Sequence, residues 1–142
     1  MPEAFGQPRQ TWGSQIAFFW GKMSVKHKAQ ALVIQCIDFR FQELIARDIQ
    51  NRQLTGKFDR IAYPGASKDL ERVSQAAETS LKLHDPDEAL IYEHEDCGAY
   101  GQDNSIETHR ENAVRLKAFL VNIKPEIRVI TLIATFEKIE EL

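Results

Sequence analysis

The sequence predicts an α/β domain, with a mainly parallel sheet of four to five strands flanked by helices. Three observations predict it. Short apolar runs alternate with amphipathic stretches from residue 31 to residue 134, in the order strand, helix, strand. The length, 142 residues, is that of one domain and suffices to bury a core without disulfide staples. The composition, 43% hydrophobic and 27% charged, is that of a globular chain and excludes disordered and collagen-like classes. No internal repeat, low-complexity tract or second domain interrupts the pattern.

The first strand is residues 31–36, an unbroken apolar run. Residues 41–54 place Phe41, Leu44, Ile45, Ile49 and Leu54 at roughly helical spacing, and Gly56 reads as the stop. Residues 58–63 form a second strand, broken by Pro64 and Gly65. Residues 69–83 carry the helical stripe Leu70, Val73, Ala76, Ala77, Ser80 and Leu81. After the turn Asp85-Pro86-Asp87, residues 88–93 form a third strand, followed by a polar loop at 94–103. Asn104 and Glu107 read as the N-cap and capping-box partner of the next helix. That helix places Ile106, His109, Ala113, Leu116, Leu120 and Ile123 on one face, with His109 read as a packing residue. Arg110, Glu111, Arg115 and Lys117 read as its solvated face. Lys124-Pro125 ends it, and residues 127–134 make a fourth, β-branched strand.

Residues 1–28 read differently, as an N-terminal arm preceding an α/β domain at 29–142. Pro2, Gly6, Pro8, Gly13 and Gly21 break regular structure, yet Phe5, Trp12, Phe18, Phe19 and Trp20 are concentrated there. Such an arm packs on its own domain or wraps a partner subunit. The alternative is that translation begins at Met23. No stretch approaches the roughly 18 apolar residues of a membrane span, and residues 16–20 are too short for a signal-peptide core. The expected compartment is a reducing cytoplasm. A net charge of -3 leaves no basic excess for nucleic acid. Neither Gly98-Ala99-Tyr100-Gly101 nor Gly65-Ala66-Ser67-Lys68 completes a nucleotide-binding loop.

Open α/β sheets bind ligands beyond the carboxyl ends of their strands. Three consecutive strand ends here deliver Cys36, Asp38 and Arg40, then Tyr63, Pro64 and Gly65, then His94 and Cys97. In a reducing compartment, spaced Cys and His point to metal or catalysis rather than a disulfide. Zinc favours four tetrahedral ligands drawn from thiolates and imidazoles. Cys36, His94 and Cys97 supply three and leave a fourth position for water, substrate or a carboxylate. Asp38 is within reach of that position, and Arg40 can pair with it and hold it ionised. The rival reading is a Cys36–Cys97 disulfide or redox pair. It lacks the Cys-x-x-Cys spacing and leaves His94, Asp38 and Arg40 without a role.

Cys36-Ile37-Asp38-Phe39-Arg40 resembles the Cys-x-Asp-x-Arg motif of the β-class carbonic anhydrases. His94-Glu95-Asp96-Cys97-Gly98 resembles their His-x-x-Cys-Gly motif, and the similarity spans about residues 30–135. The resemblance implies one zinc ion per chain on Cys36, His94 and Cys97, with Asp38 and Arg40 as the catalytic dyad. It implies a zinc lyase that reversibly hydrates carbon dioxide to bicarbonate, through a zinc-bound hydroxide oriented by the dyad. It also implies a homodimer or higher homo-oligomer, whose N-terminal segments embrace the partner as residues 1–28 could. In a small apolar pocket, Phe39 and Tyr63 would form walls, unless they are core or interface residues. N–H groups near Gly65 or Gly98 would meet developing oxyanion charge. Asp38 either ligates the metal or pairs with Arg40.

Two departures widen the choice of substrate. Residues 61–67 replace an Arg-Asn-Ala-Gly-Asn-like segment, and Phe39 replaces a small polar residue. The alternatives are a zinc hydrolase acting on carbon disulfide or carbonyl sulfide, and a catalytically silent zinc-binding relative.

Overall fold

Every residue of Ala31–Gln35 (β1) is buried, as in a strand covered on both faces. This computed structural model describes residues 27–142, so the expected arm falls outside the described residues except for its last two positions, as does the alternative start at Met23. β1 lies between Phe58–Ala62 (β2) and Glu88–His94 (β3). Arg128–Ala134 (β4) and Ile139–Glu141 (β5) complete a five-stranded sheet in the order β2-β1-β3-β4-β5. The first four strands are parallel, and β5 runs antiparallel to β4.

Strand alternation divides the core in two. Ala31, Val33, Leu90 and Tyr92 face Gln42–Asn51 (α1), which contributes Ile45 and Ile49. Leu32, Ile34, Ala89 and Ile91 face Leu70–His84 (α2) and Ile106–Ile123 (α3). The chain steps one way from β1 to β2, then the other way from β2 past β1 to β3 and on to β4. Right-handed crossovers therefore put α1 on one face and α2 and α3 on the other. The reversal opens a crevice at the carboxyl ends of β1 and β3, where such folds bind ligands.

Local chemistry sets the element ends. A 3₁₀ turn at Phe39–Phe41 precedes α1, with the Asp38 side chain accepting from the Arg40 N–H. The helix expected over 41–54 is therefore shorter, and Leu54 is buried from the turn that follows it. Asp69 caps α2 by accepting from the Arg72 N–H. Asp85 ends that helix in the left-handed conformation.

Two expectations are corrected at α3. Its cap is Ser105, whose Oγ accepts from the Thr108 N–H, which frees Asn104 for the loop before it. Ile106, expected on the apolar face, is 44% exposed, because the helix buries His109, Ala113, Leu116 and Leu120 instead. Among the described residues, no helix is long and apolar enough to cross a membrane.

Candidate metal centre

Gln35 and Tyr92 are paired across β1 and β3, so Cys36 leaves β1 beside the point where His94 closes β3. A four-residue segment then returns Cys97 to the same place. Cys36 and Cys97 are buried, free thiols with their sulfurs 3.9 Å apart. That is nearly twice the about 2.05 Å of a disulfide bond, so the expected rival pairing is not formed. The two sulfurs and a His94 ring nitrogen all lie within 4.8 Å of one another. Two thiolates bound tetrahedrally to one zinc, each at about 2.3 Å, would sit about 3.8 Å apart.

The His94 ring is fixed from both sides. Its Nδ1 meets the Glu95 carbonyl oxygen at 2.7 Å, which places the hydrogen on Nδ1 and a bare lone pair on Nε2. Nε2 is buried with no hydrogen-bond partner. A buried nitrogen of that kind needs an explanation, and a cation beside two thiols supplies one. Phe41 stacks on the ring at 4.3 Å.

The surroundings of Cys36 favour its thiolate form. The hydrogen bond with the Cys97 thiol, above all, holds the Cys36 thiol well below its usual range despite burial, and the N–H groups of Gly65 and Asp38 assist. The shared proton and burial push Cys97 up. The Gly65 N–H donates to the Cys36 sulfur at 3.3 Å. Gly65 has φ +80, and a Cβ there would come 2.9 Å from the Lys68 Cβ, so the turn requires glycine.

Asp38 and Arg40 form a forked pair at the rim. Arg40 Nη2 donates to Asp38 Oδ2 at 2.7 Å, and Nε donates to Oδ1 at 3.1 Å. The Arg40 guanidinium holds the Asp38 carboxyl down to about 2. Asp38 Oδ2 is also 3.9 Å from His94 Nε2, so one carboxylate oxygen faces both the arginine and the cluster. The guanidinium reaches across to the His94–Cys97 loop, where Nη1 donates to Asp96 Oδ2 and Nη2 to the Asp96 carbonyl, both at 2.9 Å. Its carbon lies 5.6 Å from the Phe41 ring and 5.4 Å from the Phe136 ring.

A cavity of about 540 Å³ opens over these groups. Cys36, Cys97, Asp38 and Arg40 line it, with Ile37, Phe39, Pro64, Gly98 and Ala99 around them. Of the four expected pocket residues, Phe39 and Gly98 line this cavity, and Phe39 stands 83% exposed. Gly65 lies beneath it, against Cys36. Tyr63 faces an adjoining cavity and donates to Asp69 at 3.3 Å, because β2 ends at Ala62 and the chain turns there.

Several residues at the site escape the sequence reading. Asp96 lies between two candidate ligands, and its place inside the motif was the available signal. Gln42 Nε2 donates to the carbonyls of Cys36 and Asp38, at 3.2 and 2.9 Å, fixing the turn after β1. Phe136 comes from beyond β4, and its N–H donates to Glu95 Oε1 at 2.6 Å. Glu93, a charged residue in a buried strand, was a visible anomaly.

A family model described as "Putative carbonic anhydrase" matches residues 26–140. An uncharacterized protein of Rickettsia bellii (strain RML369-C) is 22% identical over 134 residues, covering 81% of this chain and 82% of that protein. The fold is similar to a carbonic anhydrase from Glaciozyma antarctica, with 17% identity, a TM-score of 0.50, and 94% and 96% of the two chains covered. It is also similar to one of two tetrameric β-carbonic anhydrases from Sordaria macrospora (13%, TM-score 0.55, 92% and 88% covered). The apo form of a carbon disulfide hydrolase superposes with a TM-score of 0.60 at 13% identity, with 90% and 85% covered. With the match running from before β1 into β5, and with the same fold in the solved relatives, the chain belongs to the carbonic anhydrase family and carries its β-class fold.

Proposed function

We propose that this protein is a zinc-dependent β-class carbonic anhydrase that interconverts carbon dioxide and bicarbonate. The observation that carries the reading is the position of Asp38: its Oδ2 accepts from Arg40 at 2.7 Å while lying 3.9 Å from His94 Nε2. Cys36, His94 and Cys97 are the proposed ligands of one zinc ion per chain. Zinc in that set supplies the Lewis acidity that makes water a nucleophile near neutral pH.

The chain's own residues set the geometry. Arg40 keeps Asp38 ionised, so Asp38 can only accept hydrogen bonds. Its Oδ2 therefore orients an O–H beside the cluster, aiming the oxygen lone pair into the cavity. Ile37, Phe39, Pro64 and Ala99 give that cavity apolar walls suited to a small, neutral, linear molecule. The Gly98 backbone lines the same cavity and is the candidate for contact with developing oxyanion charge.

Hydrolysis of carbon disulfide or carbonyl sulfide is the second reading. The likeness to a carbon disulfide hydrolase and the apolar rim favour it. We also propose a homodimer or higher homo-oligomer, supported by the exposure of Ile37 and Phe39 at the cavity rim, and a reducing, cytoplasmic compartment, supported by the free Cys36 and Cys97 thiols.

The experiment is a zinc measurement beside stopped-flow carbon dioxide hydration at pH 7 and pH 8.5, with sulfide release from carbon disulfide as the parallel assay. About one zinc per chain with hydration supports the first reading. Sulfide release without hydration selects the second. Zinc without either activity leaves a silent zinc-binding relative, and zinc below about a tenth of an equivalent, against the one ion that three such ligands hold, removes the metal proposal.

A further inference from the structure

Among the described residues, Glu93 is the one fully buried carboxylate, at 1% exposure. It precedes His94 on β3, so strand alternation sends its side chain to the opposite face of the sheet. Ser67 Oγ donates to Glu93 Oε1, as does the Tyr100 hydroxyl at 3.4 Å. His109 Nδ1 lies 3.3 Å from Oε2, and its ring stacks on Tyr100 at 3.8 Å. The face of α3 read as packing thus carries a hydrogen-bonded histidine.

Donor and acceptor logic propagates outward from that carboxylate. A carboxylate only accepts, so the His109 hydrogen is on Nδ1. Nε2 faces the Asn104 amide at 2.6 Å, and it carries the lone pair because the backbone N–H groups beyond Asn104 require the amide oxygen. Asn104 must turn its NH₂ toward His109, which aims its oxygen at the backbone N–H groups of Asp96 and Cys97, at 3.1 and 3.0 Å. The reversed amide would set an NH₂ against two N–H donors and a carbonyl against a lone pair. Asp96 has φ 53, in the left-handed region that is uncommon for residues other than glycine, although Asp enters it more readily than most.

We infer that Glu93, His109 and Asn104 are positioning residues for the metal centre. They form a hydrogen-bond relay that fixes the His109 tautomer, then the Asn104 amide, then the Asp96–Cys97 segment. That segment carries one proposed ligand, Cys97, and the partner of Arg40, Asp96. The consequence at the metal rests on the zinc reading; the relay itself is a property of the chain.

The test is side-chain ¹⁵N NMR of the full, zinc-loaded protein, with amide hydrogen exchange and zinc loss to a chelator. The wild type shows His109 neutral and protonated at Nδ1. Glu93→Gln keeps an acceptor for Ser67 and Tyr100 but puts an NH₂ at His109, moving the hydrogen to Nε2. Asn104→Ala leaves the tautomer unchanged. In both variants, exchange at Asp96 and Cys97 and zinc loss each rise about tenfold, as expected from losing one or two hydrogen bonds. A wild-type His109 protonated at Nε2 overturns the relay, as does unchanged exchange at Asp96 and Cys97 in both variants. If Glu93→Gln does not fold, the wild-type tautomer and Asn104→Ala still decide. None of these readouts needs turnover, so an inactive protein with the relay intact sinks the functional reading alone.

Discussion

Arg40 Nη1 donates to the Asp96 carboxylate at 2.9 Å, joining the segment after β1 to the segment after β3. One guanidinium thus holds Asp38 on one side and the loop between two proposed ligands on the other. The Asp96 side chain is 69% exposed, so its charge adds about 1 kcal/mol or less to that hold. Asp96→Asn keeps the backbone contact from Nη2 to the Asp96 carbonyl. Its kcat/KM for hydration should fall about two- to fivefold, with zinc content unchanged. A loss of a hundredfold would mean that Asp96 does more than steady Arg40.

Asp38 should stay charged wherever the protein is folded. Arg40 lowers its carboxyl to about 2. A depressed carboxylate stabilises the fold fully above its unfolded value of about 3.9, and that contribution is lost as pH falls through about 2. The pair therefore contributes nothing to a pH profile near neutrality. Carboxyl ¹³C NMR should place the Asp38 midpoint below about 3, and Arg40→Met should raise it toward about 4. An Asp38 midpoint already near 4 in the wild type would remove the ionic hold. Asp38→Asn should retain zinc and lose about a hundredfold in hydration, the scale of one positioned catalytic group.

Much of the fold was legible because the buried parallel strands are unbroken apolar runs. Residues 31–36 and 88–93 announced β1 and β3, and their ends displayed Cys36, His94 and Cys97. β5 was not placed, since Ile139–Glu141 offers one half-buried apolar residue and two exposed acids. Partners joined across strands were equally hidden. Asn104 carries a strong capping signal, yet Ser105 takes the cap, and Asn104 serves a loop that sequence spacing alone does not bring near it. His109 looked like packing because helical periodicity reports burial and is blind to hydrogen bonds.

Gly65 should be intolerant of even a methyl group. Its φ of +80 opposes alanine, and so does the Lys68 Cβ, which would stand 2.9 Å from the added methyl carbon. Left-handed strain and overpacking together should cost about 2 kcal/mol. Gly65→Ala should therefore lower Tm by about 6 °C. Its N–H also donates to the Cys36 sulfur, so the variant should release zinc to a chelator faster than the wild type. An unchanged Tm with unchanged zinc release would mean that the turn relaxes freely.

Phe39 tests the assembly. It is 83% exposed and lines the cavity with Ile37, which is 57% exposed; Phe136, also 57% exposed, lies 5.4 Å from the Arg40 guanidinium carbon. Exposed apolar side chains grouped in this way mark contact surfaces. A side chain so exposed contributes little to the fold of one subunit, so Phe39→Asp should leave the far-UV circular dichroism spectrum unchanged. At a subunit contact, the same change buries an unpaired carboxylate, which costs several kcal/mol. Sedimentation equilibrium should then report a dimer or larger species for the wild type and a shift toward the monomer for Phe39→Asp. Equal oligomeric masses for the two proteins would place the subunit contact elsewhere and leave Phe39 as part of the cavity rim, and a monomeric wild type would remove the proposed assembly.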